Sequence, residues 1–346
     1  MAQKEGPLLM RQLRAFPRWI PTVVVVLSLT VAPATAQPTG LATPTVEAID
    51  QAVVQMNVSL ESGGRVSRGT GSGVIIDPMG VILTAAHVVV RATRIEVKFR
   101  SGALVPARVL GVDPVFDVAL VRVDPRGTLP VVPLGNSATL QQGDAVTVFG
   151  RSPSREAGPT MGAFLWVNLE VRPGTPFLQT TAPAYPGDSG GALVNDHGEL
   201  VGILSGISRD GKVSLAVAID AIKGIYADLL AGTVHHPWIG VVGETITDDL
   251  AQELGLPVRR GVFVLEVVEG SPAAIAGLLG GQATAPPILP RGGDIIVAVD
   301  GRPLQSFGEL AAYVLGKRIG DTVTLNLVRG GRTVNVSVLL AERPDL

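Results

Sequence analysis

The chain has 346 residues, 46% of them hydrophobic and 17% charged, which excludes a disordered protein and suits two domains of ordinary size. Its lack of cysteine excludes disulfides, a cysteine nucleophile and thiolate metal sites. A formal net charge of only −2, with no basic run in the body of the chain, argues against nucleic acid as a partner.

Residues 1–36 predict a secretory signal peptide. Four basic residues and one acidic residue precede an apolar stretch from Trp19 to Ala32, and small residues fill the cleavage positions Ala34-Thr35-Ala36. A retained membrane anchor is the alternative, but a span needs roughly 20 apolar residues and this stretch is shorter and contains Pro21. We expect an exported protein, periplasmic or extracellular, that is membrane-tethered only if the signal is not cleaved.

Residues 37–50 are rich in Pro, Thr and Ala at their start and predict a leader or linker. Residues 51–232 then alternate short β-branched runs with turn signals such as Asp77-Pro78-Met79-Gly80, which favours an all-β barrel or sandwich. Strands are predicted at Val53–Leu60, Gly73–Ile76, Ile95–Phe99, Val118–Val123, Ala145–Phe149, Gly162–Leu169, Gly191–Val194, Leu200–Leu204 and Val213–Ala218. One amphipathic helix, with Asp220 as its expected N-cap, closes this block.

Residues 233–342 predict a smaller second domain of mixed α and β type, reached through a linker at 232–237. Strands are expected at Gly261–Val268, Ile295–Val299, Thr322–Arg329 and Thr333–Leu340, and helices at Asp248–Leu254, Pro272–Ala276 and Phe307–Leu315. Ser271 is the expected N-cap of the second helix, and Gly316 the stop of the third. The Gly-, Ala- and Pro-rich segment Leu279–Gly292 predicts a loop.

A serine hydroxyl is a weak nucleophile at neutral pH, so a nucleophilic serine needs a base that takes the hydroxyl proton. His197 lies in a hairpin turn, and His235 and His236 lie in the linker. His87 differs, since it ends the apolar run Val81–Ala86. A lone histidine in such a run is more often a core residue, so its assignment depends on the residues below.

The candidate nucleophile is Ser189, in the string Pro186-Gly187-Asp188-Ser189-Gly190-Gly191. Glycines on both sides allow a sharp turn that side chains would block. Such a turn can direct the backbone N–H groups of Gly187, Asp188 and Ser189 toward one point beside the hydroxyl, as an oxyanion hole requires. A glycine-rich hairpin turn is the purely structural alternative, and the nearby usable histidine argues against it.

The orienting acid is expected between residues 113 and 120. Asp113 precedes a proline and predicts a turn residue, whereas Asp117 opens an apolar strand. A carboxylate buried there without a partner would be costly, so an imidazole N–H is its expected destination. Asp117 is therefore the stronger candidate.

These motifs resemble the trypsin-like double-β-barrel serine proteases in their order of histidine, aspartate and serine. The matching strings are Thr84-Ala85-Ala86-His87, Asp117-Val118-Ala119-Leu120 and Gly187-Asp188-Ser189-Gly190-Gly191. Gly71–Ile76 and Thr180–Leu193, with the trailing domain, are similar to the HtrA/Deg family. Three departures stand out: Asp188 replaces the usual Asn, Thr181 and Tyr185 replace the common Asp and Asn, and Phe149–Ala157 lacks the Asn-Pro-Phe-Gly pattern.

The resemblance implies a mainly β protein with two six-stranded barrels, a site in the cleft between them and a PDZ domain behind. It implies a metal-free, cofactor-free and ATP-independent serine endopeptidase, with His87 as base, Asp117 as orienting acid and Ser189 as nucleophile. Its expected substrates are unfolded or damaged polypeptides outside the cytoplasm. Members often assemble as trimers, so a homo-oligomer is expected.

The substrate pocket is expected to favour small or medium aliphatic side chains at P1. Pro183 stands six residues before Ser189, where related proteases that cut after Lys or Arg carry an acid. Ile203, Leu204 and Ile207 are candidate wall residues.

Trp238-Ile239-Gly240-Val241 resembles the carboxylate-binding loop of PDZ domains. Backbone N–H groups there would grip a C-terminal carboxylate while the peptide tail adds as a strand beside the helix at 307–315. Gly270–Ala274, Gly293–Ile296 and Val299–Gly301 add the spacing of the PDZ pattern.

Two other functions compete with this hypothesis. The string around Ser189 also fits the G-x-S-x-G elbow of α/β-hydrolases, but that elbow needs a helix after the serine and a strand is predicted here. A non-catalytic scaffold or chaperone that binds C-terminal tails is the second alternative. Labelling of Ser189 by a fluorophosphonate would separate it from an enzyme.

Overall fold

The computed structural model of the chain describes residues 41–154, 158–208, 210–281 and 292–344. The predicted signal peptide at 1–36 and the centre of the loop at 279–292 lie outside the described residues. The fold is mainly β, as the sequence predicted, with two closed barrels followed by a PDZ domain.

The first barrel closes in the strand order β1-β2-β3-β6-β5-β4. Its strands are β1 (Val53–Ser62), β2 (Arg65–Asp77), β3 (Val81–Ala85), β4 (Arg94–Lys98), β5 (Leu104–Asp113) and β6 (Val118–Val123). Strand side chains alternate between two faces. In β6, Ala119 and Val121 point into the barrel, while Val118 and Leu120 join a second core between the barrels.

The second barrel closes in the order β10-β11-β12-β9-β8-β7. Its strands are β7 (Ala145–Phe149), β8 (Thr160–Asn168), β9 (Phe177–Thr180), β10 (Ala192–Asn195), β11 (Leu200–Ile207) and β12 (Ser214–Ala218). A 3₁₀ turn at Ser137–Thr139 precedes them. Side chains of β10 alternate in the same way: Leu193 points into this barrel, while Ala192 and Val194 pack in the core shared with the first barrel. The shared core fixes the cleft between the barrels.

Helix α1 (Thr43–Ala52) corrects the leader predicted for residues 37–50. A proline in its first turn is tolerated because the N–H groups there have no intrahelical partner. Ile49 and Ala52 are buried in the core between the barrels, and Val46 packs against it. The leader prediction is therefore wrong for the second half of that segment.

Two further helices belong to the two-barrel region, α2 (Ala86–Val89) and α3 (Ile219–Ala231). The prediction that Asp220 caps α3 is wrong, since the N-cap is Ala218 and no side chain caps it. The Asp220 carboxylate lies in the first turn and accepts hydrogen bonds from the Ser137 hydroxyl (2.8 Å) and the Ala138 N–H (3.1 Å). It ties α3 to the preceding 3₁₀ turn.

The PDZ domain pairs β13 (Pro237–Trp238) with β20 (Ala341–Glu342) beside a sheet ordered β14-β15-β16-β18-β19, with β17 on β16. The sheet strands are β14 (Val241–Thr245), β15 (Val262–Val267), β16 (Ile295–Val299), β17 (Arg302–Pro303), β18 (Thr322–Arg329) and β19 (Arg332–Leu339). Helices are α4 (Asp248–Leu254), α5 (Pro272–Ile275) and α6 (Phe307–Leu315). Ser271 caps α5 and Gly316 ends α6, as predicted.

Candidate active site

His87 and Asp117 meet in the first barrel. His87 lies on α2, directly after β3, and its Nδ1 is 2.9 Å from Asp117 Oδ2 and 3.1 Å from Oδ1. The His87 backbone N–H also donates to Oδ1, at 3.0 Å. The aspartate side chain is 5% exposed and the imidazole 47% exposed. Because the buried carboxylate occupies Nδ1, Nε2 is the ring nitrogen that remains to act as a base.

A residue that the sequence did not single out, Ser205, completes the surroundings of Asp117. Its hydroxyl donates to Asp117 Oδ2 at 2.5 Å from the second barrel. Burial would raise the pKa of Asp117, but hydrogen bonds from His87 and Ser205 and the charge of His87 lower it below the usual value. Asp117 also has a positive φ of 59°, a conformation in which aspartate is enriched among non-glycine residues.

Ser189 sits on the second barrel, against the segment that carries His87. Its carbonyl accepts the Ser72 N–H at 2.7 Å. A Cβ added at Gly71 of β2 would lie 2.7 Å from the Val88 side chain and 3.2 Å from the Ser189 carbonyl oxygen. Helix α2, which carries His87, and the turn that carries Ser189 therefore pack against the same residue of β2. Within the described residues no hydrogen bond joins the Ser189 hydroxyl to His87, and such bonds often shorten only when substrate binds.

Of the three N–H groups predicted as oxyanion donors, one already has an acceptor within the protein. The Asp188 N–H donates to the Tyr185 carbonyl at 2.9 Å and is occupied, which corrects its prediction as a donor. In the described part of the chain, the N–H groups of Gly187 and Ser189 donate to no protein acceptor. Gly187 has φ +102°, a backbone conformation that favours glycine.

A cavity of about 160 Å³ opens beside Ser189. Its lining includes Ala184, Tyr185, Leu204, Gly206 and Ile207. Of the predicted wall residues, Leu204 and Ile207 are there, while Ile203 is fully buried in the core.

The prediction that Pro183 lines this pocket is wrong. Pro183 is not among the residues that line the cavity, and its carbonyl accepts the Thr160 hydroxyl of β8. The one acid in the lining, Asp188, is 1% exposed and accepts the N–H groups of Ser152 and Tyr185.

Comparison with known proteins matches this geometry on both domains. The family model of the trypsin-like peptidase domain matches residues 71–203, and that of the PDZ domain matches residues 237–340. The putative serine protease HhoA of Synechocystis is 38% identical over 79% of this chain and 71% of its own length. The chain belongs to the HtrA/Deg family of serine proteases.

Other HtrA/Deg relatives give the same assignment. Periplasmic serine endoprotease DegP of Escherichia coli K12 is 33% identical over 79% of this chain, which spans 57% of DegP. The HtrA-type protease AlgW with decapeptide has a TM-score of 0.70 at 27% identity, covering 87% of this chain and 98% of AlgW. A serine endoprotease from Yersinia pestis has a TM-score of 0.64 at 29% identity and covers 87% and 97%. The predicted family and enzyme class are confirmed.

The HtrA/Deg PDZ domain places its predicted carboxylate loop, Trp238 to Val241, between β13 and β14. The Ile239 carbonyl accepts the Ala273 N–H at 2.8 Å, and the Gly240 carbonyl accepts the Val268 N–H at 2.9 Å. Because N–H and C=O point oppositely across a trans peptide, the Gly240 N–H faces away from α5. A Cβ at Gly240, with φ +81°, would overlap the Ser271 side chain, so glycine is required there.

A residue of the protease domain, Glu170, bridges the end of β14 and the start of α6. Glu170 accepts the Thr245 hydroxyl at 2.9 Å through Oε2 and the Gly308 N–H at 2.7 Å through Oε1. Phe307 N–H donates to the same threonine hydroxyl at 2.9 Å. The protease and PDZ domains of this HtrA/Deg protein therefore meet at the start of α6.

No helix among the described residues is both long enough and apolar enough to cross a membrane.

Proposed function

We propose that this protease acts outside the cytoplasm as an ATP-independent endopeptidase on unfolded or damaged polypeptides, and that its PDZ domain binds C-terminal tails. The observation that carries the catalytic half is the His87–Asp117 pair at 2.9 Å beside the turn that holds Ser189. DegP relatives are named periplasmic endoproteases, which supports the compartment.

The proposed reaction is acyl transfer through Ser189. His87 Nε2 takes the hydroxyl proton as Ser189 Oγ attacks the substrate carbonyl, and Asp117 stabilises the imidazolium that forms. N–H groups of Gly187 and Ser189 stabilise the oxyanion. His87 then protonates the leaving amine, which leaves an acyl-enzyme that water hydrolyses by the same steps.

Replacing the nucleophile tests the enzyme against the scaffold alternative. Ser189→Ala should lower casein turnover by about 10⁴-fold or more and abolish fluorophosphonate labelling. Unfolded substrate and C-terminal peptides should be present, because a latent enzyme needs its activator. If the wild type neither turns over casein nor reacts with the probe under these conditions, the non-catalytic scaffold becomes the better description.

The substrate preference proposed at P1 is a small or medium aliphatic side chain. The cavity beside Ser189 is small, about 160 Å³, and Leu204, Ile207 and Ala184 give it an apolar wall. The Asp188 carboxylate already accepts two backbone N–H groups and so is a poor partner for a lysine or arginine head. A peptide library should be cut mainly after Val, Ala, Ile or Leu, and a profile dominated by Lys or Arg would refute the assignment.

Tail binding at the PDZ domain rests on the turned backbone at Gly240 and on the exposed groove edge of β14. AlgW has been solved with a decapeptide and with a tripeptide, which supports peptide binding by this architecture. A labelled apolar peptide with a free carboxylate should bind, as followed by fluorescence anisotropy. Amidation of its C-terminus should weaken binding at least about tenfold, because the N–H groups then lose their charged acceptor.

Export and assembly remain proposals that two measurements address. N-terminal sequencing of the exported protein should begin at Gln37 if cleavage follows Ala36. Light scattering of the purified protein should give a homo-oligomer, a trimer by the family resemblance, and a monomer at all concentrations would contradict it.

A further inference from the structure

Ser152 is a buried serine on the loop after β7 that touches the turn before the nucleophile. Ser152 is only 8% exposed, and its hydroxyl donates to the Pro186 carbonyl at 2.6 Å. The same oxygen accepts the Ser154 N–H at 3.1 Å. Both roles of the hydroxyl are therefore used, and its proton is directed at Pro186.

The peptide between Pro186 and Gly187 carries one of the two proposed oxyanion donors, the Gly187 N–H, so its direction matters for catalysis. In a planar trans peptide the N–H points opposite to the C=O, so holding the Pro186 carbonyl toward Ser152 directs the Gly187 N–H away from it. Rotation of that peptide by about 180° would replace the N–H by a carbonyl oxygen, which repels an oxyanion. Gly187 has no side chain to oppose such a rotation.

The next peptide along the chain is clamped by a second serine hydroxyl. Ser72, which is fully buried, donates from Oγ to the Gly187 carbonyl at 2.8 Å and accepts the Arg151 N–H at 2.8 Å. The Asp188 N–H of that same peptide donates to Tyr185. Both peptides that flank the Gly187 Cα thus have a fixed carbonyl direction.

Asp188 holds Ser152 itself in place. Its carboxylate accepts the Ser152 N–H at 3.1 Å and the Tyr185 N–H at 2.9 Å. A Cβ at Gly150 would overlap this carboxylate, so the close approach of the two loops depends on glycine. Ser152 and Asp188 stand in two of the stretches where the sequence departs from the family pattern, and the structure joins them in one unit.

We propose that Ser152 is a positioning residue of the oxyanion hole, whose hydroxyl, held in place by Asp188, keeps the Gly187 N–H available to the developing negative charge. The inference rests on the proposed endopeptidase function. The hydroxyl directs a donor rather than supplying one. Its loss should therefore cost less than the 10²–10³-fold typical of deleting an oxyanion donor, about tenfold in kcat.

The test is a matched pair at one position, Ser152→Thr and Ser152→Val, which differ by a hydroxyl against a methyl group. Ser152→Val should lower kcat on a peptide substrate about tenfold with KM changed less than about twofold. Ser152→Thr should keep most of the wild-type kcat. Ser154→Ala, at an exposed position on the same loop, is the control and should behave as wild type.

A transition-state analogue separates positioning from mere folding. A peptide aldehyde forms a hemiacetal oxygen in the oxyanion hole, so its Ki should rise by the same factor as kcat falls. The Val variant should stay folded at the assay temperature, although its unsatisfied Pro186 carbonyl lowers its melting temperature below that of the Thr variant. Equal kcat and Ki for the two variants, whether both active or both unfolded, would overturn the inference. An inactive wild type would instead refute the proposed function, an outcome that differs from equal kcat and Ki in two active variants.

Discussion

Two carboxylates of the protease domain each support one functional region of the molecule, the His87 site and the PDZ domain. One carboxylate is buried and the other is exposed. Asp117 is buried, and its oxygens accept hydrogen bonds from His87 and from Ser205 of the other barrel. Glu170 is exposed and accepts from Thr245 and Gly308 of the PDZ domain. The proposed catalytic pair is thus held by a buried carboxylate under a half-exposed imidazole, and the contact between the protease and PDZ domains lies at the surface.

This difference predicts how each region responds to change. The Asp117 carboxylate is buried, so water replaces a lost donor poorly, and the oxygen left unsatisfied would cost about 1–3 kcal/mol. Water can replace Glu170, so its contacts with the PDZ domain contribute about 1 kcal/mol or less. A buried catalytic pair and an exposed domain contact suit the proposed function, in which the PDZ domain binds peptide tails.

The largest expected effect comes from removing the charge of Asp117 while keeping its shape. In Asp117→Asn the amide favours the wrong imidazole tautomer and cannot stabilise the imidazolium, so kcat should fall about 10⁴-fold. Peptide-substrate kinetics with the folded state checked by circular dichroism measure it. A loss below about tenfold would mean that His87 does not act as the base.

A smaller effect is expected at Ser205, which supports the pair from the second barrel. Ser205→Ala removes one of the hydrogen bonds that lower the pKa of Asp117, so that pKa should move up toward its usual value. We expect kcat to fall about tenfold, with the imidazole less firmly oriented. Unchanged kinetics in this variant would show that the His87 contact alone orients Asp117.

The sequence was most informative where chemistry imposes a pattern. His87, Asp117 and Ser189 could be singled out because few side chains can supply base, acid and nucleophile, and the last four residues of the Gly187–Gly191 string belong to one tight turn. The PDZ helices and the caps at Ser271 and Gly316 followed from local signals that act within a few residues. Such features need no knowledge of the rest of the fold.

Features set by contacts between distant segments were missed or misassigned. Ser205 is one serine in the apolar strand β11, and nothing nearby marks it as a partner of a residue 88 positions away. Helix α1 looked like a leader, because its stability comes from burying Ile49 and Ala52 rather than from its composition. Strands β5 and β9 gave weak patterns: β5 contains a proline and exposed positions, and β9 has only four residues.

Acid should weaken the buried catalytic pair in a defined direction. The pKa of Asp117 is lowered from its usual value of 3.8, so its contribution to stability is complete above that pH and is lost as the pH falls through the folded-state pKa. The free energy of unfolding of Ser189→Ala, used to prevent self-cleavage, should therefore decline with acidity below about pH 4. Adding Asp117→Asn should flatten that part of the curve, and two parallel curves would contradict the assignment.

The smallest effect is expected at Glu170, and it tests the exposed half of the comparison. Glu170→Ala leaves the Gly308 N–H without its protein acceptor, so hydrogen exchange at the start of α6 should accelerate about two- to fivefold, the equivalent of 1 kcal/mol or less. The kcat on a short peptide should change less than about twofold, since Glu170 has no hydrogen bond to His87, Asp117 or Ser189 among the described residues. A large fall in kcat with unchanged exchange at Gly308 would show instead that this surface contact supports the catalytic pair, and the contrast between the two carboxylates would not hold.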